Sequence, residues 1–406
     1  MHVRKLEIWN FRAIDHLSLT FEDGMGKFRP VTVISGPNGC GKTSVLYAII
    51  QALRGAMHLR VSEVPVPSDF DLHRTEPSGR RPVSARVGIK LEYGGPELKA
   101  IRHVFKMTAA SRAHAGKPPV NPPELPKSED SAYAGKLDVI WQYPPRVFSS
   151  GATASLFELR SEPKYGPVWL SAFSTAWGAW RSKVLSDVRD MYPIGGLRVF
   201  PQDRDRRWGI DVDEPDEGAD QIGSGNIPTT ARSRSREEPT VADALRTLGG
   251  FTFGKGLDQN DDRRQWEARL QERFERTCGP KRYLGYFLDH PRYGETPLFS
   301  DRGREYPFSR AASGEHVVLH YLTKLTFPRP VQNSVILIDE PELHLHPRWV
   351  RQLYRLFAES AKPIEKGGDS NQFIMTTHSP ELRQLASREN ALIDLGDLGE
   401  ESQDAC

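Results

Sequence analysis

The sequence predicts an α/β fold: a mainly parallel sheet carrying a phosphate-binding loop, with an antiparallel β-lobe and a helical insert lobe. Three observations point there. An apolar, β-branched run (Val31, Val33, Ile34) leads into Gly36-Pro37-Asn38-Gly39-Cys40-Gly41-Lys42-Thr43, which fits G-x-x-x-x-G-K-[ST] without a mismatch. Near the far end, Val335-Ile336-Leu337-Ile338 runs into the two carboxylates Asp339 and Glu340. Around that run, short apolar strands alternate with helical segments, which is the pattern of a parallel sheet.

The first motif has the context that its chemistry needs. Val45, Leu46, Ile49, Ile50 and Leu53 fall on one helical face after the loop, with Gly55 as the expected stop. Glycines let backbone N–H groups converge on phosphate oxygens. The helix N-terminus adds its dipole and unpaired donors. Lys42 is placed to reach the β- and γ-phosphates, and Thr43 to offer a hydroxyl to Mg²⁺. A glycine-rich turn with a chance Lys-Thr is the bland alternative; a strand before and a helix after outweigh it.

Composition narrows the classes. Of 406 residues, 38% are hydrophobic and 9% aromatic, enough for a real core. Lys and Arg (55) nearly balance Asp and Glu (53), so only a local patch, not whole-chain charge, could argue for nucleic acid. The cysteines Cys40, Cys278 and Cys406 are too few and scattered for a disulfide framework or a zinc site, so a reducing cytoplasm is expected. No signal-peptide core and no long apolar run is evident, so no membrane segment is expected.

Taken in order, residues 2–21 read as two short strands around a turn. Residues 60–82, rich in Pro and Arg, read as a connecting loop. Alternation over 83–106, broken at Gly94-Gly95-Pro96, predicts an edge or partly solvated β-hairpin. Residues 108–136 predict a surface loop or disordered insert, and 137–148 another short strand. Residues 167–191 are helical in pattern and carry Trp169, Trp177 and Trp180, read as packing residues over a base-stacking platform. Residues 197–202 predict a strand, and 211–239, acidic then basic, predict disorder. Residues 240–290 look helical, with Leu245, Leu248, Trp266, Leu270 and Phe274, but no heptad persists. A helix start at 309–322, a strand at 335–339, a helix at 348–361 and a strand at 372–376 complete the chain. The expected organisation is 1–106 and 301–406 as two halves of one head, with 107–300 as insert.

Three further motifs carry chemistry. Asp339, at the end of an apolar strand, can hold Mg²⁺ through its water shell, and Glu340 can polarise a water attacking the γ-phosphate. Ala311-Ala312-Ser313-Gly314-Glu315 is a small-residue turn at a helix N-terminus, suited to a second phosphate cradle. His378, in Thr376-Thr377-His378-Ser379-Pro380, follows a buried strand and can donate to a γ-phosphate or orient water. Each is weak alone, since strands often end in acids, helices begin with small residues, and core histidines are common. Together with the loop at 36–43 they form a set.

That set resembles the ABC-type ATPases of the SMC/RecF/OLD branch, nearest to compact bacterial antiphage-defence ATPases that are OLD-like but lack a Toprim domain. GPNGCGKT, ASGE, LIDEPELHLHP and TTHSP carry the resemblance, together with the opening Leu6-Glu7-Ile8-Trp9-Asn10-Phe11-Arg12. It covers residues 1–60 and 300–395, and implies a P-loop ABC-ATPase head that uses ATP and Mg²⁺. It further implies that Asn38, Gly39, Cys40, Gly41, Lys42, Thr43 and Ser44 bind phosphates and that Arg12 lies by the nucleotide. Thr43 and Asp339 would hold Mg²⁺, Glu340 would be the catalytic base and His378 the switch histidine. Ser313, Gly314 and Glu315 would complete the site on a second subunit, implying a homodimer or higher oligomer. A Q-loop glutamine is also implied, with Gln202 preferred and Gln142 the other candidate. The chain departs from the family where Ala311-Ala312 replace the usual leucine-serine, which implies slow or differently controlled hydrolysis. No nuclease constellation is evident.

Three functions are open at this stage. The first is an ATPase sensor or scaffold in antiphage defence that controls a separately encoded effector. The second is a DNA-repair clamp, with Arg204-Asp205-Arg206-Arg207 and the 232–236 basic run as phosphate contacts. The third, a non-enzymatic module, fits poorly with Lys42, Asp339, Glu340 and His378 all in place.

Overall fold

The computed structural model describes residues 2–57, 84–93, 103, 135–143, 157–161, 197–200, 245, 261–326, 333–362 and 370–396. The chain divides into two compact units. The first comprises Met1–Asp216, Gln332–Pro341 and Ala361–Cys406; the second comprises Glu217–Val331 and Glu342–Ser360.

Among the described residues, the first unit has two sheets. Strands β1 (His2–Phe11), β2 (Ile14–Thr20), β4 (Ala85–Tyr93), β5 (Gly135–Tyr143) and β6 (Phe157–Ser161) form an antiparallel sheet in the order β2-β1-β4-β5-β6. Strands β3 (Val31–Ser35), β7 (Leu197–Phe200), β11 (Val335–Asp339), β12 (Gln372–Thr376) and β13 (Leu392–Asp394) form a parallel sheet in the order β13-β3-β12-β11-β7. The central three, β3, β12 and β11, are buried along their whole length. A strand covered on both faces needs a continuous apolar run rather than alternation, which is what VTVIS, VILID and QFIMT supply.

Helix α1 (Lys42–Met57) touches strands of both sheets. Val45, Leu46, Ile49, Ile50 and Leu53 are all buried, as the helical spacing predicts. Each contributes about 1.5–3 kcal/mol of apolar burial. The helix runs two residues past the predicted stop at Gly55, since a single glycine costs only about 1 kcal/mol.

A buried side chain joins the two sheets. Gln372, at the start of β12, accepts from the Val3 N–H at 2.7 Å and donates to the Val3 carbonyl at 2.9 Å. The pairing of β1 with β4 shifts register between Val3 and Lys5, and Gln372 takes both polar groups of Val3 at that irregularity.

Of the two readings for the hairpin over 83–106, edge or partly solvated, the edge is corrected. β4 is the central strand of its sheet, paired with β1 on one side and β5 on the other. Its alternation (Ala85, Val87, Ile89 and Leu91 all buried) reflects one covered face, not an edge. The expected return arm, His103 apart, lies outside the described residues. So do the predicted loop at 60–82, residues 108–134 of the insert predicted over 108–136, the segment at 167–191 with Trp169, Trp177 and Trp180, and the charged run at 211–239.

In the second unit, α2 (Asp261–Cys278) precedes an antiparallel meander of β8 (Arg282–His290), β9 (Gly294–Asp301) and β10 (Arg304–Pro307). A 3₁₀ turn at Phe308–Arg310 leads into α3 (Ser313–Thr326). Helix α4 (Pro347–Ser360) buries Val350, Leu353, Tyr354, Leu356 and Phe357. The helical reading of 240–290 holds over Asp261–Cys278 and is corrected after it: the helix ends at Cys278 and β8 follows. Two signals mark the change: Gly279-Pro280 after the helix, and the β9–β10 turn at Arg302-Gly303. There both central residues have positive φ (50° and 82°), as a two-residue hairpin turn requires.

Two measurements test this packing. Replacing Gln372 with leucine leaves two buried peptide groups without partners, so the unfolding free energy should fall by about 2–4 kcal/mol in urea titration. A loss under about 1 kcal/mol would show that the Val3 groups are satisfied otherwise. In the second unit, burial pushes the Glu267 carboxyl above its ordinary value, partly offset by the Tyr286 backbone hydrogen bond. A raised native value means that stability is lost as pH rises through it. Glu267→Gln should therefore gain thermal stability on wild type at about pH 7 and lose that advantage near about pH 4. A gap that does not change with pH would contradict the assignment.

Candidate functional site

The parallel sheet brings three strand ends together. β3 delivers the loop at 36–43, β11 delivers Asp339 and Glu340, and β12, between them, delivers Thr376 and the turn to His378. In open α/β sheets, the carboxyl ends of the strands are where ligands bind.

The loop is braced from the antiparallel sheet. Gly41 has φ +97°, and a Cβ there would lie 2.9 Å from Ile14 Cγ1, so neither the backbone nor the space admits a larger residue. Lys42 is buried, and its ammonium donates to the carbonyls of Gly36 and Pro37, both at 2.9 Å, with Cys40 Sγ at 4.0 Å. These contacts hold Nζ at the loop, where a phosphate oxygen would be the stronger, charged acceptor. Asn38 and Gly39 form the exposed crest of the loop, while Ser44 is buried in the first turn of α1. Arg12 adopts φ 54° after β1, and its guanidinium lies 4.4 Å from the centre of the Tyr47 ring on α1. That cation–π contact, about 0.5–2 kcal/mol, fixes the arginine beside the helix that follows the loop.

Thr43 and Asp339 lie far apart in sequence yet meet: Thr43 Oγ1 donates to Asp339 Oδ1 at 3.2 Å and Oδ2 at 3.3 Å. A hydroxyl and a carboxylate are hard oxygen donors, the chemistry Mg²⁺ takes when substrate phosphates and water complete its octahedron. The pair therefore fits the ion. On the far side, the Thr376 hydroxyl donates to Asp339 Oδ1. Asp339 is nearly fully buried.

Glu340 turns the chain at φ 46°, an uncommon conformation for a residue with a side chain. Its N–H donates to the Thr376 carbonyl at 3.1 Å and to Thr376 Oγ1 at 3.2 Å. Its carboxylate lies 3.2 Å from His378 Nε2. His378 is about two-fifths exposed (39%) and Glu340 less so (22%), so the pair opens to solvent while Asp339 does not. The Thr377 N–H donates to the Ile34 carbonyl at 3.0 Å, and Ser379 caps helix α5 (Pro380–Arg388). His378 is thus held between an anchored strand end and a capped helix.

The turn at 311–315 belongs to the second unit. Ser313 and Gly314 open α3. A Cβ on Gly314 would meet Trp349 Cζ3 at 2.9 Å and the His344 carbonyl at 3.0 Å, so packing alone demands glycine there. Glu315 is fully buried. Its Oε1 accepts from the Tyr306 hydroxyl, and its Oε2 accepts from the Ala312 N–H at 2.6 Å and pairs with Lys281 Nζ at 3.0 Å. Burial and the Glu315 carboxylate push the Tyr306 phenol and the Cys278 thiol up, keeping both protonated beside it. Glu315 therefore serves to shape the turn, with Gly314 buried behind it and Ala312 and Ser313 on its exposed side. Sequence reasoning missed Lys281 and Tyr306; the Ala312 N–H to Glu315 bond is the backbone half of a capping box.

Gln202 lies outside the described residues. Gln142, on β5, donates to Ser84 Oγ at 2.9 Å in the antiparallel sheet. Thr376, the residue that touches both Asp339 and Glu340, opens the TTHSP motif but was given no role by sequence, because a threonine in a buried strand carries no chemical signal of its own.

A family profile described as "AAA domain, putative AbiEii toxin, Type IV TA system" matches residues 31–383. Among curated proteins, the DNA double-strand break repair Rad50 ATPase of Methanosarcina mazei is 35% identical over 116 residues, covering 28% of this chain and 9% of that protein. The chain thus spans only a small part of that relative's length. Similar solved structures include an Smc head bound to the C-winged helix domain of ScpA, with TM-score 0.44 and 15% identity over 97% of this chain and 94% of that one. Another is the SMC head domain from Thermotoga maritima, with TM-score 0.40 and 14% identity over 95% and 92%. The profile match runs from β3 through the 311–315 turn and Asp339 to His378, more than half of the chain, and the chain belongs to this AAA domain family.

Proposed function

We propose that the chain is a Mg²⁺-dependent ATPase whose ATP-bound form pairs with a second copy, and that this pairing controls a separately encoded effector in bacterial antiphage defence. The observation that carries the enzymatic part is the convergence of Lys42, Thr43, Asp339, Glu340 and His378 at three adjacent strand ends. Lys42 and the loop N–H groups bind and neutralise the β- and γ-phosphates. Thr43 and Asp339 hold Mg²⁺, which supplies charge neutralisation on the phosphates when bound. Glu340 takes a proton from the attacking water, and His378 orients that water or the γ-phosphate. Ser313 and Gly314 of a second copy close the site, which makes ATP the bridge between copies. The setting at work is a cell interior without membrane attachment.

The family description, which names a toxin–antitoxin system, supports a defence setting. A second reading, an ATP-dependent DNA-repair clamp, is favoured by the match to a double-strand break repair ATPase. Co-expression with the genomic neighbours, followed by mass measurement with and without ATP, separates the two. A stable complex with a neighbour supports effector control. A homodimer that binds duplex DNA only with ATP, with steep salt dependence, supports the clamp.

Two variants test the site itself. Glu340→Gln should keep ATP binding, lower turnover by about 10²–10⁴-fold and accumulate an ATP-bound dimer. Lys42→Ala should weaken ATP binding at least about tenfold, a loss of about 1.4 kcal/mol or more, in calorimetry. Equal ATP affinity in wild type and Lys42→Ala would remove the phosphate-binding role.

A further inference from the structure

We infer that Thr376 is a positioning residue for hydrolysis, setting the Asp339 carboxylate and the Glu340 backbone with one hydroxyl group. The inference rests on the ATPase reading above and assigns a part of that site which neither the loop motif nor the acidic motif contains.

Thr376 ends β12 directly opposite Asp339 in the parallel ladder, and it is fully buried. Its hydroxyl has one proton and its lone pairs. The Glu340 N–H points at the oxygen from 3.2 Å and so claims a lone pair. The proton is thereby directed to Asp339 Oδ1, its other close partner. One side chain thus sits in a chain of donors running from the Glu340 backbone through the hydroxyl to the Asp339 carboxylate. The Thr376 carbonyl accepts the same Glu340 N–H at 3.1 Å, so Glu340 is gripped by two atoms of one residue.

Both grips have consequences for chemistry. The φ of 46° at Glu340 costs about 1–3 kcal/mol and persists only where the surroundings over-determine it. That turn sends the Glu340 side chain to His378 rather than onward along the strand. At Asp339, the Thr43 and Thr376 hydroxyls donate from two sides. Were Thr43 and Asp339 to hold a metal through their oxygens, the Thr376 hydroxyl would still hold Oδ1 from the neighbouring strand. A methyl in place of the hydroxyl would fill the same space, release Asp339 and leave Glu340 held by the Thr376 carbonyl alone.

The test compares Thr376→Val, which keeps shape and removes the hydroxyl, with Thr376→Ser, which keeps the hydroxyl. Steady-state ATPase is measured across a Mg²⁺ titration at saturating ATP, and ATP binding is measured separately in EDTA. The valine variant should turn over at least about tenfold more slowly, a barrier increase of about 1.4 kcal/mol, with a several-fold higher half-saturating Mg²⁺ concentration. Its metal-free ATP affinity should stay within about twofold of wild type. The serine variant should recover turnover and Mg²⁺ dependence to within about threefold. If the valine variant does not fold, Thr376→Ala makes the same comparison. Valine turnover and Mg²⁺ dependence like wild type would overturn the inference. So would a serine variant as slow as valine, which would make the role one of packing by the methyl group. Wild-type turnover unaffected by Lys42→Ala would instead remove the ATPase reading beneath it.

Discussion

The Asp339 carboxylate is held between two threonine hydroxyls, one from the helix after the phosphate loop and one from the neighbouring strand. Keeping a carboxylate away from water costs several kcal/mol unless donors replace the solvent. Thr43 and Thr376 can do so only if β3, β12 and β11 lie side by side and in register, since each hydroxyl is fixed by its own element. The parallel order β3-β12-β11 is therefore tied to a polar contact at its carboxyl end as well as to the apolar runs within it. The same contact couples fold and chemistry, because the groups that satisfy Asp339 are the groups around which phosphate and metal would gather.

The antiparallel sheet supports this end from outside. Ile14 braces Gly41, Arg12 stacks on Tyr47, and Gln372 ties β12 to β1 at Val3. The second unit has its own polar centre. Glu315 is fully buried yet satisfied by Tyr306, Ala312 and Lys281, which fixes the turn that carries Ser313 and Gly314. A glutamate in this turn is thus explained by local structure without any contact to a ligand.

Much of this was legible in the sequence, and the reasons differ by element. β3, β11 and β12 could be read because a strand buried on both faces must be apolar throughout, and each is followed by residues with recognisable chemistry. The α1 face could be read because five apolar positions kept helical spacing. For β4, read as edge or partly solvated, alternation reported the one covered face but said nothing about neighbours in the sheet, so its central place was not legible. Residues 282–290 were read as helix because Tyr283, Tyr286 and Phe287 suit either period, and the hairpin signal at Arg302-Gly303 lies well downstream. Thr376, Gln372 and Lys281 act through contacts across long sequence distances, which composition and spacing do not encode.

On the proposed function, Thr43 and Asp339 would form a metal site that nucleotide phosphates complete. Mn²⁺ binding, followed by electron paramagnetic resonance with and without a non-hydrolysable ATP analogue, measures this in wild type and Asp339→Asn. Wild type should bind Mn²⁺ tightly only with the analogue, and Asp339→Asn at least about tenfold more weakly. Equal Mn²⁺ binding by the two proteins in the presence of the analogue would rule the site out.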